Sequence, residues 1–205
     1  KEIVPYASEM DETGKLHEGL LEKLAAQGLL GVAIPEEFGG AGLDAITIAA
    51  IYEELGKGCA GVATTVAANA LASYPVIIAG NDDQKKRYFD IINEDNLAAF
   101  ALTEPGTGSD AGSVSTRAMK TEDGKGYILN GTKCFITNGA LAEVFVVFAN
   151  TRKSGGIRGL TAFIVRKGTP GFTVGKAENK MGIRASNTTE LIFQDCFVPV
   201  EDRLG

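Results

Sequence analysis

The sequence predicts an α+β chain, with an all-α helical domain over residues 1–97 and an antiparallel β-barrel or sandwich domain over residues 98–205. Three observations predict it. Apolar residues in the first half recur at the spacing of one helix face. From about Leu97 the period drops to two. The second half then divides into short β-branched or aromatic runs separated by turn signals, the pattern of a closed or layered antiparallel fold rather than a βαβ unit. No internal repeat or low-complexity stretch interrupts either half.

In chain order, Leu16, Leu20, Leu21, Leu24 and Ala25 share one helix face, and Gly28 follows as a C-terminal cap. The run "AIPEEFGGAGLD" breaks the pattern with a proline and three glycines. Asp44 then offers an N-cap for a helix that carries Ile48, Ile51, Tyr52 and Leu55 and stops near Gly56. The alanine-rich "GVATTVAANALASYPVIIAG" reads as a third, tightly packed helix in which Pro75 should start a new turn or a kink. Asp82 is placed to cap a fourth, whose Tyr88, Ile91 and Ile92 face inward while Lys85, Lys86 and Arg87 form a solvated face. The strands expected are "AAFALT", "VSTRAMKT", "YILNGTKCFIT", "VFVVFAN", "GLTAFIVR", "FTVG" and "ELIFQDCFV", with hairpin turns at Asp123-Gly124 and Asn130-Gly131.

Composition narrows the function. With 20 basic against 26 acidic residues, a net charge of −6 and scattered lysines and arginines, a nucleic-acid surface is not expected. Cys59, Cys134 and Cys196 lie far apart without a CxxC pair, so they read as buried, reduced thiols in a cytoplasmic setting rather than a metal or redox site. The lone histidine, His17, reads as a surface or helix-flank residue, which leaves zinc sites and Ser-His-Asp triads without ligands. The longest apolar runs, "PVIIAG" and "VFVVFA", fall short of the roughly 20 residues that span a bilayer, so no transmembrane segment is expected. The opening "KEIVPYASEMDE" has neither an initiator Met nor a secretion signal, and the chain is expected to be a fragment of a longer polypeptide.

The stretch "TEPGTGSD", Thr103 to Asp110, is too rich in glycine and hydroxyls for core. It lacks the lysine of a P-loop, and it follows a strand without opening a helix, so it is no dinucleotide fingerprint either. A surface loop and a ligand wall built from backbone amides and the hydroxyls of Thr103, Thr107 and Ser109 both remain open. "KCFITNG" adds Phe135, an aromatic able to shield a flat ring, and Thr137, a hydroxyl able to bond its polar edge. A flat redox ring held this way is what flavin enzymes require.

Taken together, "IPEEFGGAGLD", "AGNDDQKKRY", "FALTEPGTGSD", "NGTKCFITNG" and "KMGIRASNTTELIFQDCFVP" occur in an order that resembles the acyl-CoA dehydrogenase family along the whole chain, most closely its bacterial short-chain, butyryl-CoA-type members. The resemblance implies an N-terminal helical domain and a middle β domain, with the family's C-terminal helical bundle absent from this chain. It implies FAD held between the middle and last domains of a homotetramer. Phe100, Leu102 and Thr103 would contact the flavin ring, Gly108 and Ser109 would close the same wall, and Phe135, Ile136 and Thr137 would cover and hydrogen-bond the ring. Many relatives carry tryptophan where Phe135 stands. Ser109 would also touch the acyl-CoA ligand, and Thr64, Ala67 and Ala68 would border the acyl tail.

The reaction so implied is α,β-dehydrogenation of a short-chain acyl-CoA to the trans-2-enoyl-CoA, with electrons passed to an electron-transfer flavoprotein. No catalytic residue is expected in this chain, because the family's basic glutamate belongs to the C-terminal domain; Glu104 and Asp110 read as structural, and the fragment alone as inactive. An acyl-CoA oxidase and a non-catalytic flavin- or acyl-CoA-binding module are the alternatives.

Overall fold

The computed structural model describes residues 2–152 and 156–205. Five α-helices come first: α1 Ala7–Thr13, α2 Leu20–Ala26, α3 Ala45–Gly58, α4 Ala60–Ala79 and α5 Asp82–Asn93. Gly14 and Gly19, both with left-handed φ, separate α1 from α2, so Leu16 packs from the connection and not from the helix expected to hold it. Asp44 caps α3 as expected, its Oδ1 accepting from Ile46 N at 2.9 Å and Thr47 N at 3.1 Å. The helix runs two residues past Gly56, to Gly58. Asp44→Ala should lower stability by about 1 kcal/mol, read from a urea unfolding curve; an unchanged midpoint would mean that the cap is replaced by water at no cost.

α4 passes through Pro75 without a break, against expectation. Proline removes one helix hydrogen bond, but Ala72 and Val76 on either side are fully buried, and their packing keeps the helix continuous. By length and composition this 20-residue helix could cross a membrane, which the short apolar runs did not suggest; half of it is buried inside the protein, where it packs on α3 and on the first strand. The cap of α5 is Asn81, one residue before the aspartate expected, because only from Asn81 does a glutamine stand three positions on: Gln84 N donates to Asn81 Oδ1 at 2.8 Å and Asn81 N to Gln84 Oε1 at 2.9 Å. Arg87 is not simply solvated, since it reaches Asp202 at 2.6 Å and ties α5 to the far end of the chain.

The strands are β1 Leu97–Ala101, β2 Arg117–Lys120, β3 Gly126–Thr137, β4 Ala142–Asn150, β5 Leu160–Arg166, β6 Phe172–Ala177, β7 Thr188–Pro199 and β8 Arg203–Leu204. They form one sheet in the order β6-β7-β3-β2-β4-β5-β8, with β1 paired to β4. Most pairs are antiparallel, as expected, but β1 runs parallel to β4 over five residues and β2 meets β4 in parallel at Arg117 and Asn150. Asp123-Gly124 is the β2–β3 turn.

Asn130-Gly131 is not a turn. It lies inside β3, where the pairing with β7 slips between Leu129 and Gly131, and the Asn130 side chain satisfies Asp195 instead of closing a hairpin. One apolar core runs from α2, α4 and α5 into β1, β3, β4 and β7. Two buried asparagines join its halves. Asn69 of α4 accepts from Ala98 N and donates to Leu30 O, while Asn138 donates to Thr65 O at 3.0 Å and Ala98 O at 3.2 Å.

Candidate functional site

β1 buries Ala99 and Ala101 and leaves Phe100 half-exposed, with its ring 4.9 Å from that of Phe148. Beyond Ala101 the chain leaves the sheet. Leu102 and Thr103 are half-buried, and the next residues close a tight turn in which Glu104 and Thr107 exchange backbone hydrogen bonds of 3.0 Å. Thr107 points inward and donates to Ser113 O at 2.8 Å, so it is a brace for the loop and not a free hydroxyl of the wall. Gly108 and Ser109 are exposed. A Cβ built on Gly108 meets nothing within 4 Å, which leaves room for a ligand to approach that backbone. Asp110 is exposed and accepts from the Ser113 hydroxyl.

Glu104 faces the other way, into the protein. Its carboxylate accepts from Ser115 N at 2.7 Å, Ser115 Oγ at 2.6 Å, Thr116 N at 2.9 Å, Thr116 Oγ1 and Lys133 Nζ at 2.8 Å. These bonds use up the roughly four lone-pair positions of a carboxylate, so Glu104 has nothing left with which to take a proton from a ligand. Its reading as structural follows from that geometry. Burial by itself pushes the group up, but the Lys133 ammonium and the Ser115 and Thr116 donors outweigh burial and hold it at about 2. Burial lowers Lys133 as well, against its bond to Glu104.

A folded value below the ordinary 4.5 means that Glu104 contributes stability that is complete above about 4.5 and is lost as pH falls through about 2. The interval corresponds to about 3 kcal/mol, from which the cost of burying Lys133 is subtracted. Urea midpoints of the protein and of Glu104→Gln should therefore converge as the pH is lowered from 5 to 2, and a gap constant with pH would contradict this account.

Sequence alternation fails at the end of β3, and the structure shows why. Lys133 and Cys134 are both buried, Phe135 is 65% exposed and Ile136 is buried again. The chain restores its facing by putting Phe135 at φ 56, where the β3–β7 pairing slips between Lys133 and Ile136. A bulky side chain rarely adopts that conformation, which costs on the order of 1–3 kcal/mol. Thr137 is half-buried, and Asn138 repeats the left-handed φ at 64. Ile136 belongs to the core, so it can support a ring only through its backbone.

The two segments meet directly: Lys133 Nζ donates to Leu102 O at 3.1 Å, and Cys134 N to Thr103 O at 2.9 Å. Phe100 lies apart, in a cavity of about 600 Å³ that it shares with Leu71, Tyr74, Pro75 and Ile78 of α4. Thr64, Ala67 and Ala68 are earlier on that helix and do not line this cavity; Thr64 Oγ1 returns to Ala60 O at 2.8 Å. Lys133 was missed by sequence reasoning, although a lysine between apolar neighbours in "GTKCFIT" was its trace. Cys134 and Cys196 are buried, whereas Cys59, at the α3–α4 junction, is half-buried. Among the described residues no group of His, Cys, Asp or Glu is placed to hold a metal.

Residues 1–93 match the family model "Acyl-CoA dehydrogenase, N-terminal domain" and residues 99–196 the model "Acyl-CoA dehydrogenase, middle domain". The chain belongs to the acyl-CoA dehydrogenase family. It is 44% identical to an acyl-CoA dehydrogenase of Bacillus subtilis, with 100% of this chain and 54% of that protein covered. The solved butyryl-CoA dehydrogenase of Megasphaera elsdenii superposes with a TM-score of 0.91 at 45% identity, covering 100% of this chain and 55% of that one. A chain in the solved electron transferring flavoprotein of Acidaminococcus fermentans gives 0.94 at 43% identity, with 100% and 54% covered. The chain thus spans about half the length of the curated relatives it matches.

Members of the family are FAD-binding oxidoreductases, and the residues present fit that group. Among the described residues the hydroxyls of Thr103, Ser109 and Thr137 have no hydrogen-bonding partner in the protein. Along the chain Ser109 adjoins the open Gly108 and Thr137 lies two residues after the exposed Phe135, a donor set suited to the polar edge of a flat heteroaromatic ring.

Proposed function

We propose that this chain is the substrate- and flavin-binding half of an FAD-dependent short-chain acyl-CoA dehydrogenase that converts a saturated acyl-CoA to the trans-2-enoyl-CoA. The observation that carries the reading is Phe135, an aromatic held outward in a strained conformation two residues before Thr137, whose hydroxyl has no hydrogen-bonding partner among the described residues. Phe135 would cover part of the ring and exclude water, while Thr103 and Thr137 would hydrogen-bond its edge, with Leu102 and Ile136 in support. Gly108 and Ser109 would let the thioester end of the substrate approach the same wall, and Thr64, Ala67 and Ala68 would border the acyl tail. What FAD supplies when bound is a two-electron acceptor for the hydride from the β-carbon.

Glu104 is not available to take the proton at the α-carbon, because its carboxylate is saturated by Ser115, Thr116 and Lys133. An electron-transfer flavoprotein as the acceptor is supported by the likeness to a chain in the solved electron transferring flavoprotein of Acidaminococcus fermentans. The whole protein should lose its flavin absorbance when mixed with butyryl-CoA without oxygen; no bleaching overturns the proposal.

Phe135→Ala should raise the FAD dissociation constant at least tenfold, about 1.4 kcal/mol, while stability stays within about 0.5 kcal/mol because the ring is largely in water. Fluorescence titration of the apoprotein reads the first effect and urea unfolding the second. Equal FAD affinity in the variant would remove Phe135 from the wall.

A further inference from the structure

The buried pair of Lys133 and Glu104 stands beside the proposed wall without belonging to it. Lys133 is fully buried and the Glu104 side chain is 2% exposed. A buried ion pair is expensive to desolvate, and apolar residues of similar volume often stabilise a fold as well, so stability alone does not account for placing one here. Connectivity does. One ammonium bonds the Leu102 carbonyl on the first segment and the Glu104 carboxylate at the turn. The amide of the next residue, Cys134, bonds the Thr103 carbonyl, and Phe135 follows. The remaining bonds of Glu104 go to Ser115 and Thr116, so a single carboxylate closes both ends of the loop that carries Gly108 and Ser109.

We propose that Lys133 and Glu104 are positioning residues: their ion pair fixes the spacing between the Thr103–Ser109 segment and the Phe135–Thr137 segment, and so sets how tightly and in what electronic environment the flavin ring is held. The inference rests on the flavin-binding reading above and names the device that keeps that site in register. Neither residue touches the ring. Both act through Leu102, Thr103 and Phe135.

The test uses the whole FAD-loaded protein and the double variant Lys133→Met/Glu104→Gln, which removes both charges and so leaves no unpaired ion. Phe89→Leu, in the core of α5, is the control for lost stability without lost register. The double variant should raise the FAD dissociation constant about tenfold, change the visible circular dichroism of the bound flavin and shift its midpoint potential. The control should leave all three at wild-type values. A folded double variant with unchanged affinity, dichroism and potential overturns the proposal, and so does a control that loses FAD equally. If the double variant does not fold, Thr116→Val decides: deleting one hydroxyl bond to Glu104 should weaken FAD about threefold, and no change overturns the proposal. A wild-type protein that binds no FAD would instead fail the functional reading, and the positioning role would fall with it.

Discussion

Lys133→Met is expected to cost the fold about 3–5 kcal/mol, because it leaves the Glu104 carboxylate buried without its counter-charge. The neutral donors Ser115 and Thr116 remain, but they cannot cancel a full charge cut off from water. Adding Glu104→Gln should return most of that loss, because an amide in the same place carries no charge to be stranded. Equilibrium unfolding in urea measures both. A single variant within about 1 kcal/mol of the wild type would mean that water or another group reaches the carboxylate, and the account of the site as a closed pair would be wrong.

Gly131→Val should cost about 3–5 kcal/mol, from backbone strain and overpacking together. Gly131 has φ 152, and a Cβ there would lie 2.5 Å from Thr116 Oγ1 and 2.8 Å from Thr116 Cα. The second contact is with backbone, so no rotamer relieves it. Thr116 is also one of the residues that grip Glu104, and the clash should therefore reach the loop that carries Ser109. The comparison is Gly108→Ala, where a Cβ meets nothing within 4 Å and stability should stay within about 0.5 kcal/mol. A mild Gly131→Val would show that β2 and β3 can separate there without loss of pairing.

Much of the fold was legible in sequence because hydropathy period reports which side chains leave water. The amphipathic α5 and the alternation along the first half of β7 follow from it, while the capped start of α3 follows from the residue type of Asp44. The cap at Asn81 was misplaced by one residue because the deciding partner is a glutamine three positions away, and composition alone favours the aspartates beside it. Asn130-Gly131 carried a good turn signal, yet β7 pairs on both sides of it and turns it into a bulge. Continuous α4 was hidden by Pro75, since local propensity registers the missing amide but not the core packed around it.

The wall was legible as motifs and not as a device. Its exposed members, Ser109 and Phe135, stand out by residue type and by order along the chain. What holds them does not: Lys133 and Glu104 are 29 residues apart, and Asn138 reaches Thr65 across 73. Local sequence therefore determined the helices, the strands, their caps and the chemical kinds of side chain offered to a ligand. Tertiary structure alone decided the parallel placing of β1 beside β4, the outward turn of Phe135 and the burial of an ion pair behind it. The physical reason is that a hydrophobic period records whether a side chain avoids water, whereas a hydrogen bond or an ion pair also requires a particular partner, and only the folded chain brings that partner within about 3 Å.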